Sequence, residues 1–356
     1  MRLNDRSYII LFSLLKFNGE RSIYGIYHLL TGKKSSQTIF DSNLFNVSHL
    51  FSLFPTLTRD ELEEVIKLLQ QHKLITYVNE NKFLITEEGK NYLVEYESTF
   101  PLPANLHGWK YYQRGLVFWE RLSLLIQVLS NLIHRETQYT TINQDSAVLH
   151  FVKNYILRSG LKRDELAEKI HTEVSDILSF TSNNEALLFV NRLTGYGRIG
   201  YTFEQLSHIN KIEVTRVYLL FHNVLHTFLM KIESDSGSYP YLYNLANDLF
   251  DQLNLTVSSS ETLKYLKAGK TIKEIAHIRG IKENTVEDHL VEIAQSVDNF
   301  SISRFVSTEI EQEIRALQET FQTNKIKPIK EKLGDHVSYF QIRLVLAKSG
   351  GRNGTT

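Results

Sequence analysis

Lysine and arginine are concentrated between residues 264 and 282, where six of them are accompanied by a single acidic residue, Glu274. The six are Lys264, Lys267, Lys270, Lys273, Arg279 and Lys282. Such a group can bind the phosphates of a nucleic acid by charge alone. The whole chain has forty basic and forty acidic residues, so attraction for a polyanion must come from local patches. We predict a DNA-backbone contact here, with an ordinary solvated helix face as the alternative.

A second basic group lies near the end of the chain, where Glu331 and Asp335 are the accompanying acidic residues. Its members are Lys325, Lys327, Lys330, Lys332, Arg343 and Lys348. Lys327, Lys330 and Arg343 are the residues of this group that we predict to contact the DNA backbone. Solubility of an exposed helix explains the same pattern equally well.

The elements that position the first group have the pattern of a helix-turn-helix. Thr271 and Glu274 form a capping box, which predicts a helix starting at residue 272. Gly280 supplies the left-handed residue that ends this helix. Val286, Leu290 and Ile293 then recur at helical spacing and predict a second helix with one buried stripe.

The second helix is acidic, which is unusual for a helix that reads DNA. Residues 283–294 contain Glu283, Glu287, Asp288 and Glu292 and no lysine or arginine. Phosphates on both sides of a major groove would repel these carboxylates. Asn284, Thr285 and His289 are the best candidates for polar contact with DNA, and Lys282 occupies the predicted N-cap. A helix of this charge could also bind a protein.

Other patterns in the chain give weak signals for chemistry. Gly195, Gly197 and Gly200 spell GxGxxG, but the neighbouring residues predict helices, so we interpret the stretch as a structural loop. His222 and His226 have a spacing that can bind zinc, yet no third ligand is evident, and packing is the favoured role. A phosphate loop of the form GxxxxGK[ST] is missing. We therefore expect no cofactor, no metal and no enzymatic activity.

Composition and helical spacing predict a mainly α protein with a winged-helix domain at 1–98 and a helical middle domain at 105–235. A helix-turn-helix domain at 240–349 and a disordered tail at 350–356 follow. Within the first domain we predict helices over 41–54 and 58–71, then a hairpin turn at 79–81. Residues 202–232 could form a second helix-turn-helix. Lys33 and Lys34 form a basic loop that could touch phosphate or be simply solvated.

Several segments resemble known bacterial families. LITYVNENKFLITEEGKNYL (74–93) resembles many winged-helix domains. ETLKYLKAGKTIKEIAHIRGIKENTVEDHLVEIA (261–294) resembles the helix-turn-helix near the C-terminus of some RecQ-type helicases, and residues 326–347 are similar to the end of that domain. The complete layout resembles the YpbB-like family, whose gene lies beside one for a RecQ-type helicase. This resemblance implies a DNA-binding or helicase-associated accessory role in DNA repair or recombination.

Three hypotheses of function follow from these patterns. The leading one is a cytoplasmic, non-enzymatic accessory protein whose partners are DNA and a RecQ-type helicase. The second is a protein-interaction module without DNA binding, and the third is a transcription regulator, which would prefer one DNA site and usually bind it as a dimer. The absence of cysteine fits a reducing cytoplasm, and we predict no transmembrane segment. The oligomeric state is not indicated.

Overall fold

The computed structural model describes residues 3–250, 254–297, 299–321 and 326–350. These residues are mainly α-helical, as predicted, with a single two-stranded antiparallel sheet among them. The chain divides into two compact units. Unit 1 consists of residues 1–8 and 96–252, and unit 2 consists of residues 9–95 and 253–356. The predicted disordered tail lies outside the described residues from residue 351 onward.

The N-terminal segment has the element order of a winged helix. Its elements are α1 (Asp5–Phe17), α2 (Ile23–Thr31), α3 (Ser36–Leu44), α4 (Arg59–Gln71), β1 (Ile75–Asn79), β2 (Lys82–Ile85) and α5 (Glu87–Thr99). The Thr58–Glu61 capping box is present at the start of α4, as predicted. Glu80 and Asn81 both have positive φ, at 42° and 60°, so the hairpin closes with a tight two-residue turn.

The predicted helix over 41–54 is wrong. Ser35 caps α3 by accepting from the Thr38 backbone N–H, so the helix begins upstream of the prediction. It ends at Leu44, and the left-handed backbone of Asn46, with φ of 53°, prevents its continuation. A short 3-10 turn at Ser48–Leu50 covers the rest of the apolar stretch.

Unit 1 is built around two long helices that pack against each other. Its helices are α6 (Gly108–Ile133), α7 (Ser146–Arg158), α8 (Arg163–Leu178), α9 (Asn183–Asn191), α10 (Phe203–Asn210), α11 (Val214–Ser234) and α12 (Pro240–Phe250). Phe118, Leu122, Leu125 and Leu129 of α6 share one helical face and are buried. The Phe118 ring lies 5.9 Å from that of Phe228 on α11, which places the core between these helices.

Helix α6 is long and apolar enough, by length and composition, to cross a membrane. In the structure, 44% of the apolar window of this helix is buried inside the protein. A core helix passes the same test of length and composition, so α6 gives no strong evidence for a membrane span.

Unit 1 extends beyond the predicted middle domain at both ends. Helix α12, which the sequence assigned to the C-terminal domain, buries Leu242 and Leu249 in the core of unit 1. The Glu173 carboxylate accepts from the Leu242 backbone N–H at 2.8 Å and so holds the start of α12. In the stretch between the two predicted domains, the Pro101 carbonyl accepts from the Arg216 guanidinium of α11 at 2.8 Å. Both segments therefore belong to the helical core and do not separate it from its neighbours.

The C-terminal helices share unit 2 with the winged helix. They are α13 (Val257–Lys267), α14 (Ile272–Arg279), α15 (Glu283–Ser296), α16 (Thr308–Phe321), α17 (Ile326–Leu333) and α18 (Tyr339–Gly350). Helix α15 packs against α13, α14 and α18 and also against α3. The Arg343 guanidinium of α18 lies 5.4 Å from the centre of the Phe40 ring on α3. From the sequence we assigned α3 and α18 to separate domains, because local sequence patterns do not reveal packing between distant segments.

Candidate nucleic-acid interface

Helices α14 and α15 have the predicted helix-turn-helix geometry. The Thr271 backbone N–H donates to the Glu274 carboxylate at 2.8 Å, and the Glu274 N–H donates to the Thr271 hydroxyl at 3.3 Å. Helix α14 begins at Ile272 and is followed by Gly280 with φ of 64°. Lys282 is the N-cap of α15, and its side chain makes no capping hydrogen bond to the described residues. These details confirm the predicted start of α14, the turn residue Gly280 and the N-cap position of Lys282.

The apolar positions of the pair are buried as predicted, but α15 is covered more extensively than expected. Val286, Leu290 and Ile293 are fully buried. Residues 289–294 of α15 are all buried as well, because α3 and α18 pack on the helix in addition to α13. The first two turns of α15 retain exposed or half-buried side chains, and Gln295 and Ser296 at its end are half-buried. The helix can therefore present its N-terminal end to a ligand but not its whole length.

Five of the predicted basic residues lie on the surface around the turn between α13 and α14 and at the start of α15. We call this group the lysine surface; its members are Lys264, Lys267, Lys270, Lys273 and Lys282. Lys270 is half-exposed and its ammonium lies 3.5 Å from the Glu274 carboxylate. Lys264 and Lys267 occupy the last turn of α13, where positive charge also complements the helix dipole.

Arg279 lies inside unit 2, so its predicted contact with the DNA backbone is corrected. Its side chain is 8% exposed and pairs with Glu261 at 3.0 Å. The guanidinium also donates to the Ser258 backbone carbonyl at 2.9 Å and to the Thr262 hydroxyl. All these partners lie on α13, so Arg279 fastens α14 to α13 and has few donors left for a phosphate.

His289 is also corrected, because only 6% of the residue is exposed. Its Nδ1 lies 2.9 Å from the Thr262 hydroxyl, within hydrogen-bond distance. Burial, together with the positive charge of Arg279, lowers the pKa of His289, so the imidazole stays neutral near pH 7. Asn284 is exposed and Thr285 is half-exposed in the first turn of α15, so these two remain open to polar contact.

The second basic group is divided by the structure. Lys327 is exposed and lies 3.8 Å from Glu331. Lys330 donates to the carbonyls of Gly334 and Val337 at 2.6 and 2.9 Å, which ties α17 to the following turn. Arg343 is engaged with α15, as described next, and Lys325 lies outside the described residues. The group therefore offers fewer open charges than its sequence predicts.

Two of the four acidic residues of α15 are engaged by other residues of unit 2. Asp288 accepts from Arg343 at 2.6 Å and so links α15 to α18. Glu292 is 1% exposed and accepts from the hydroxyls of Thr256 and Ser259 at 3.0 and 2.6 Å. Its carboxylate thus holds the start of α13. The acidic character of α15 consequently overstates the negative charge that a ligand would meet.

Glu283 and Glu287 are the carboxylates of α15 that remain near the surface. Glu283 sits in the first helical turn, where it complements the helix dipole. Partial burial is the main cause that raises the pKa of Glu287, and the charges of Asp288 and Glu283 act in the same direction. Because the pKa is raised, Glu287 takes up a proton more readily than an isolated glutamate.

Helices α10 and α11, which the sequence suggested could form a second helix-turn-helix, repeat the spacing of cap and turn seen in α14 and α15. Both first helices have eight residues and begin with a threonine-based capping box. Lys211, with φ of 54°, stands nine residues after the cap Thr202, as Gly280 does after Thr271. Arg216 at the start of α11 is buried and paired with Asp5, and it donates to the Pro101 carbonyl at 2.8 Å. This copy therefore supports the core and does not present a reading helix.

The weaker patterns have structural roles in the described residues. The loop at 195–201 follows a helix, not a strand, and the Gly195 and Arg198 backbones bond to each other across it. His222 and His226 are buried in α11, and His226 Nδ1 accepts from the His107 backbone N–H at 3.0 Å. Among the described residues, no group of three or more histidines and carboxylates could hold a metal ion.

Comparison with known proteins agrees with this geometry. The family described as "Helix-turn-helix domain" matches residues 258–346, which span α13 to α18. Protein YpbB of Bacillus subtilis (strain 168) is 36% identical over 349 residues, covering 98% of this chain and 98% of that protein. No solved structure matches. Identity at this level over nearly the full length of both proteins shows that the chain belongs to the YpbB family of bacterial proteins.

Proposed function

We propose that the chain binds DNA and that the lysine surface is the main contact with the phosphate backbone. The supporting observation is the distribution of charge on unit 2. The lysine surface is open to solvent, whereas Arg279, Arg343 and two acidic residues of α15 are engaged within the protein. An accessible cluster of lysines next to a helix-turn-helix can bind a polyanion by releasing its counterions.

The covering of α15 determines how DNA is bound in this proposal. Residues 289–294 are buried, so the helix cannot lie along the major groove with its full length. Backbone contacts position a protein on DNA without specifying sequence. Asn284 and Thr285 are the side chains placed to reach a base edge from the helix end, as N-terminal residues of recognition helices do. The protein therefore binds many sequences with a weak preference.

The dependence of DNA affinity on salt tests this proposal. Five phosphate contacts give a slope of log K against log[salt] of about −4.5, which is about a 500-fold loss of affinity between 50 and 200 mM salt. Lys267→Ala combined with Lys273→Ala should reduce the slope to about −2.7 and the loss to about 40-fold. Lys162→Ala with Lys169→Ala removes two exposed lysines, one at the N-cap of α8 and one within it, and serves as the matched control. Equal slopes for the two double variants would refute the assignment of the lysine surface.

We also propose that the protein is a cytoplasmic, non-enzymatic partner of a RecQ-type helicase in DNA repair or recombination. The support is the resemblance of residues 261–294 and 326–347 to the C-terminal region of such helicases. The test is the unwinding of a forked duplex by the purified helicase with and without this protein. Stimulation that is lost in the Lys267→Ala and Lys273→Ala variant supports joint action on DNA. An unchanged rate together with no binding between the two proteins contradicts the partnership.

A protein-interaction role is the second candidate, and the surface of the winged helix favours it. Tyr77 on the hairpin is 58% exposed and Val94 on α5 is 72% exposed. The first turns of α4, where a winged helix would read DNA, expose Asp60 and Glu64, which disfavour contact with phosphates. A basic or apolar protein surface fits this composition better than DNA does.

Binding of the protein to the helicase in the absence of DNA distinguishes a protein-interaction role from DNA binding. Tyr77→Ser with Val94→Ser should abolish binding that persists in 500 mM salt, because apolar contacts are not screened. Leu187→Ser, which changes an exposed leucine of unit 1, is the control and should have no effect. Helicase binding that is retained by the double variant excludes the winged helix as the contact.

A further inference from the structure

Unit 1 contains a groove of ≈ 660 Å³ between α7 and α12. Such a volume lies within the range of about 300–1,000 Å³ that is typical of small-ligand sites. The polar and aromatic side chains that line it include Asn154, Tyr155, Arg158, Tyr241, Asn244 and Asn247. None of the lining residues is an aspartate, a glutamate or a lysine. The groove therefore combines neutral hydrogen-bonding groups, rings and one fixed positive charge.

The three asparagines carry hydrogen-bonding groups that the protein leaves largely unused. In the part of the chain that the structure describes, the side chains of Asn154 and Asn244 make no hydrogen bond. Asn247 accepts from the Asp248 backbone N–H at 2.7 Å, so its amino group remains available. Each carboxamide has both donors and an acceptor, which is the combination that pairs with the edge of a nucleobase.

The aromatic rings beside these amides are held in place. The Tyr155 hydroxyl donates to the Tyr241 backbone carbonyl at 2.9 Å, which links α7 to α12 across the groove. The Arg121 guanidinium lies 3.7 Å from the centre of the Phe151 ring and is itself paired with Asp248 at 2.6 Å. Rings that are already fixed can stack on a base without a further loss of side-chain freedom.

The charge of the groove favours a ligand with an anionic group. Arg158 lies in the last turn of α7, is exposed, and makes no ion pair within the described ranges. A guanidinium in this position can bind a phosphate with two parallel hydrogen bonds. Lys153, on the same helix, is exposed but does not line the groove.

We propose that the groove between α7 and α12 binds unpaired nucleotides of single-stranded DNA. The asparagines contact the base edges, the rings of Tyr155 and Tyr241 provide stacking surfaces, and Arg158 binds a phosphate. A duplex cannot supply the stacking contacts, because its bases are stacked within the helix and only their groove edges are open. The inference rests on the proposed function only in taking DNA as the ligand. It assigns a separate site and a separate form of DNA to unit 1.

Photocrosslinking locates the site directly. A single-stranded oligonucleotide containing 5-iododeoxyuridine is irradiated with the full-length protein, and the attached peptides are identified by mass spectrometry. Crosslinks on the peptides that contain Tyr155 or Tyr241 support the proposal. Crosslinks confined to residues 253–297 overturn it while leaving DNA binding by the lysine surface intact.

Affinity measurements with variants provide the second test. Asn154→Ala with Asn244→Ala, and separately Arg158→Glu, should each weaken binding of single-stranded DNA about tenfold and leave duplex binding unchanged. Lys153→Glu is the matched control for charge, since it makes the same change on the same helix outside the groove. If Arg158→Glu and Lys153→Glu have equal effects, the groove is not the site. If only the variants of the lysine surface weaken single-stranded binding, the groove proposal fails and the proposed function stands.

Discussion

Acidification should destabilise the protein through His222, which is buried in the core of unit 1. Only 2% of this residue is exposed, and its Nδ1 has no hydrogen-bond partner among the described residues. Its ring lies 4.2 Å from that of Tyr218 and 5.4 Å from that of Tyr112. Burial, with a smaller contribution from the charge of Arg192, lowers the pKa of His222 to about 3.

The direction of the effect follows from comparing the folded and unfolded states. Between pH 6.5, the ordinary pKa of histidine, and about pH 3, the unfolded chain binds a proton at His222 and the folded protein does not. The free energy of unfolding therefore falls as the pH decreases through this range. At pH 5 the pH lies about 1.5 units below the unfolded pKa, and the loss is about 2 kcal/mol relative to neutral or alkaline pH.

The measurement compares the urea unfolding of the wild type and of His222→Phe at pH 7.5 and pH 5. Phenylalanine keeps an aromatic ring between the tyrosines but cannot be protonated. The variant should lose about 2 kcal/mol less than the wild type on acidification. His208→Phe changes an exposed histidine of α10 and should leave the wild-type pH dependence nearly unaltered. If His222→Phe loses as much stability as the wild type, the argument that His222 is neutral and buried is refuted.

Two further substitutions test the assignments of internal residues. Arg279→Ala should reduce the free energy of unfolding by about 1–3 kcal/mol, because it removes bonds to Ser258 and leaves buried acceptors unsatisfied, as measured by urea unfolding. Under conditions in which the Arg279→Ala variant is folded, its affinity for DNA should fall less than the affinity of the variant that combines Lys267→Ala with Lys273→Ala. Gly200→Ala should cost about 1–3 kcal/mol, because a Cβ would meet the Arg192 carbonyl oxygen at 2.1 Å, whereas Gly237→Ala should be nearly neutral.

The sequence predicted the features of the helix-turn-helix that depend on neighbouring residues. Thr271 and Glu274 are three residues apart, and a capping box needs nothing else. Val286 and Leu290 recur at helical spacing, so their burial could be predicted from one segment. The winged-helix hairpin and the start of α4 also depend on neighbouring residues, so they could be predicted from the sequence as well.

Long-range packing explains where prediction from the sequence failed. In the sequence, Arg279 and Lys273 are both basic residues of the same predicted DNA-contacting group. The partners of Arg279, Ser258 and Glu261, come from the preceding helix. Arg343 finds Asp288 on another helix, 55 positions away in the chain. A basic residue reveals its charge in the sequence but not whether an acidic partner already neutralises it. Charge patterns therefore predicted that an exposed basic surface exists better than they predicted which residues belong to it.

The acidic appearance of α15 has a different meaning once its partners are known. Asp288 is paired with Arg343, and Glu292 is enclosed by donors at the start of α13, so the negative charge that a phosphate would meet is smaller than the sequence suggests. Glu283 remains at the exposed helix end, next to Asn284. A DNA strand that follows the lysine surface would bring its phosphates toward α13 and α14 and meet α15 only at this end. The carboxylates of Glu283 and Glu287 there disfavour deep insertion into a groove and are compatible with contact along the backbone. Charge and burial thus independently favour contact along the backbone in the proposed binding of DNA by this helix-turn-helix.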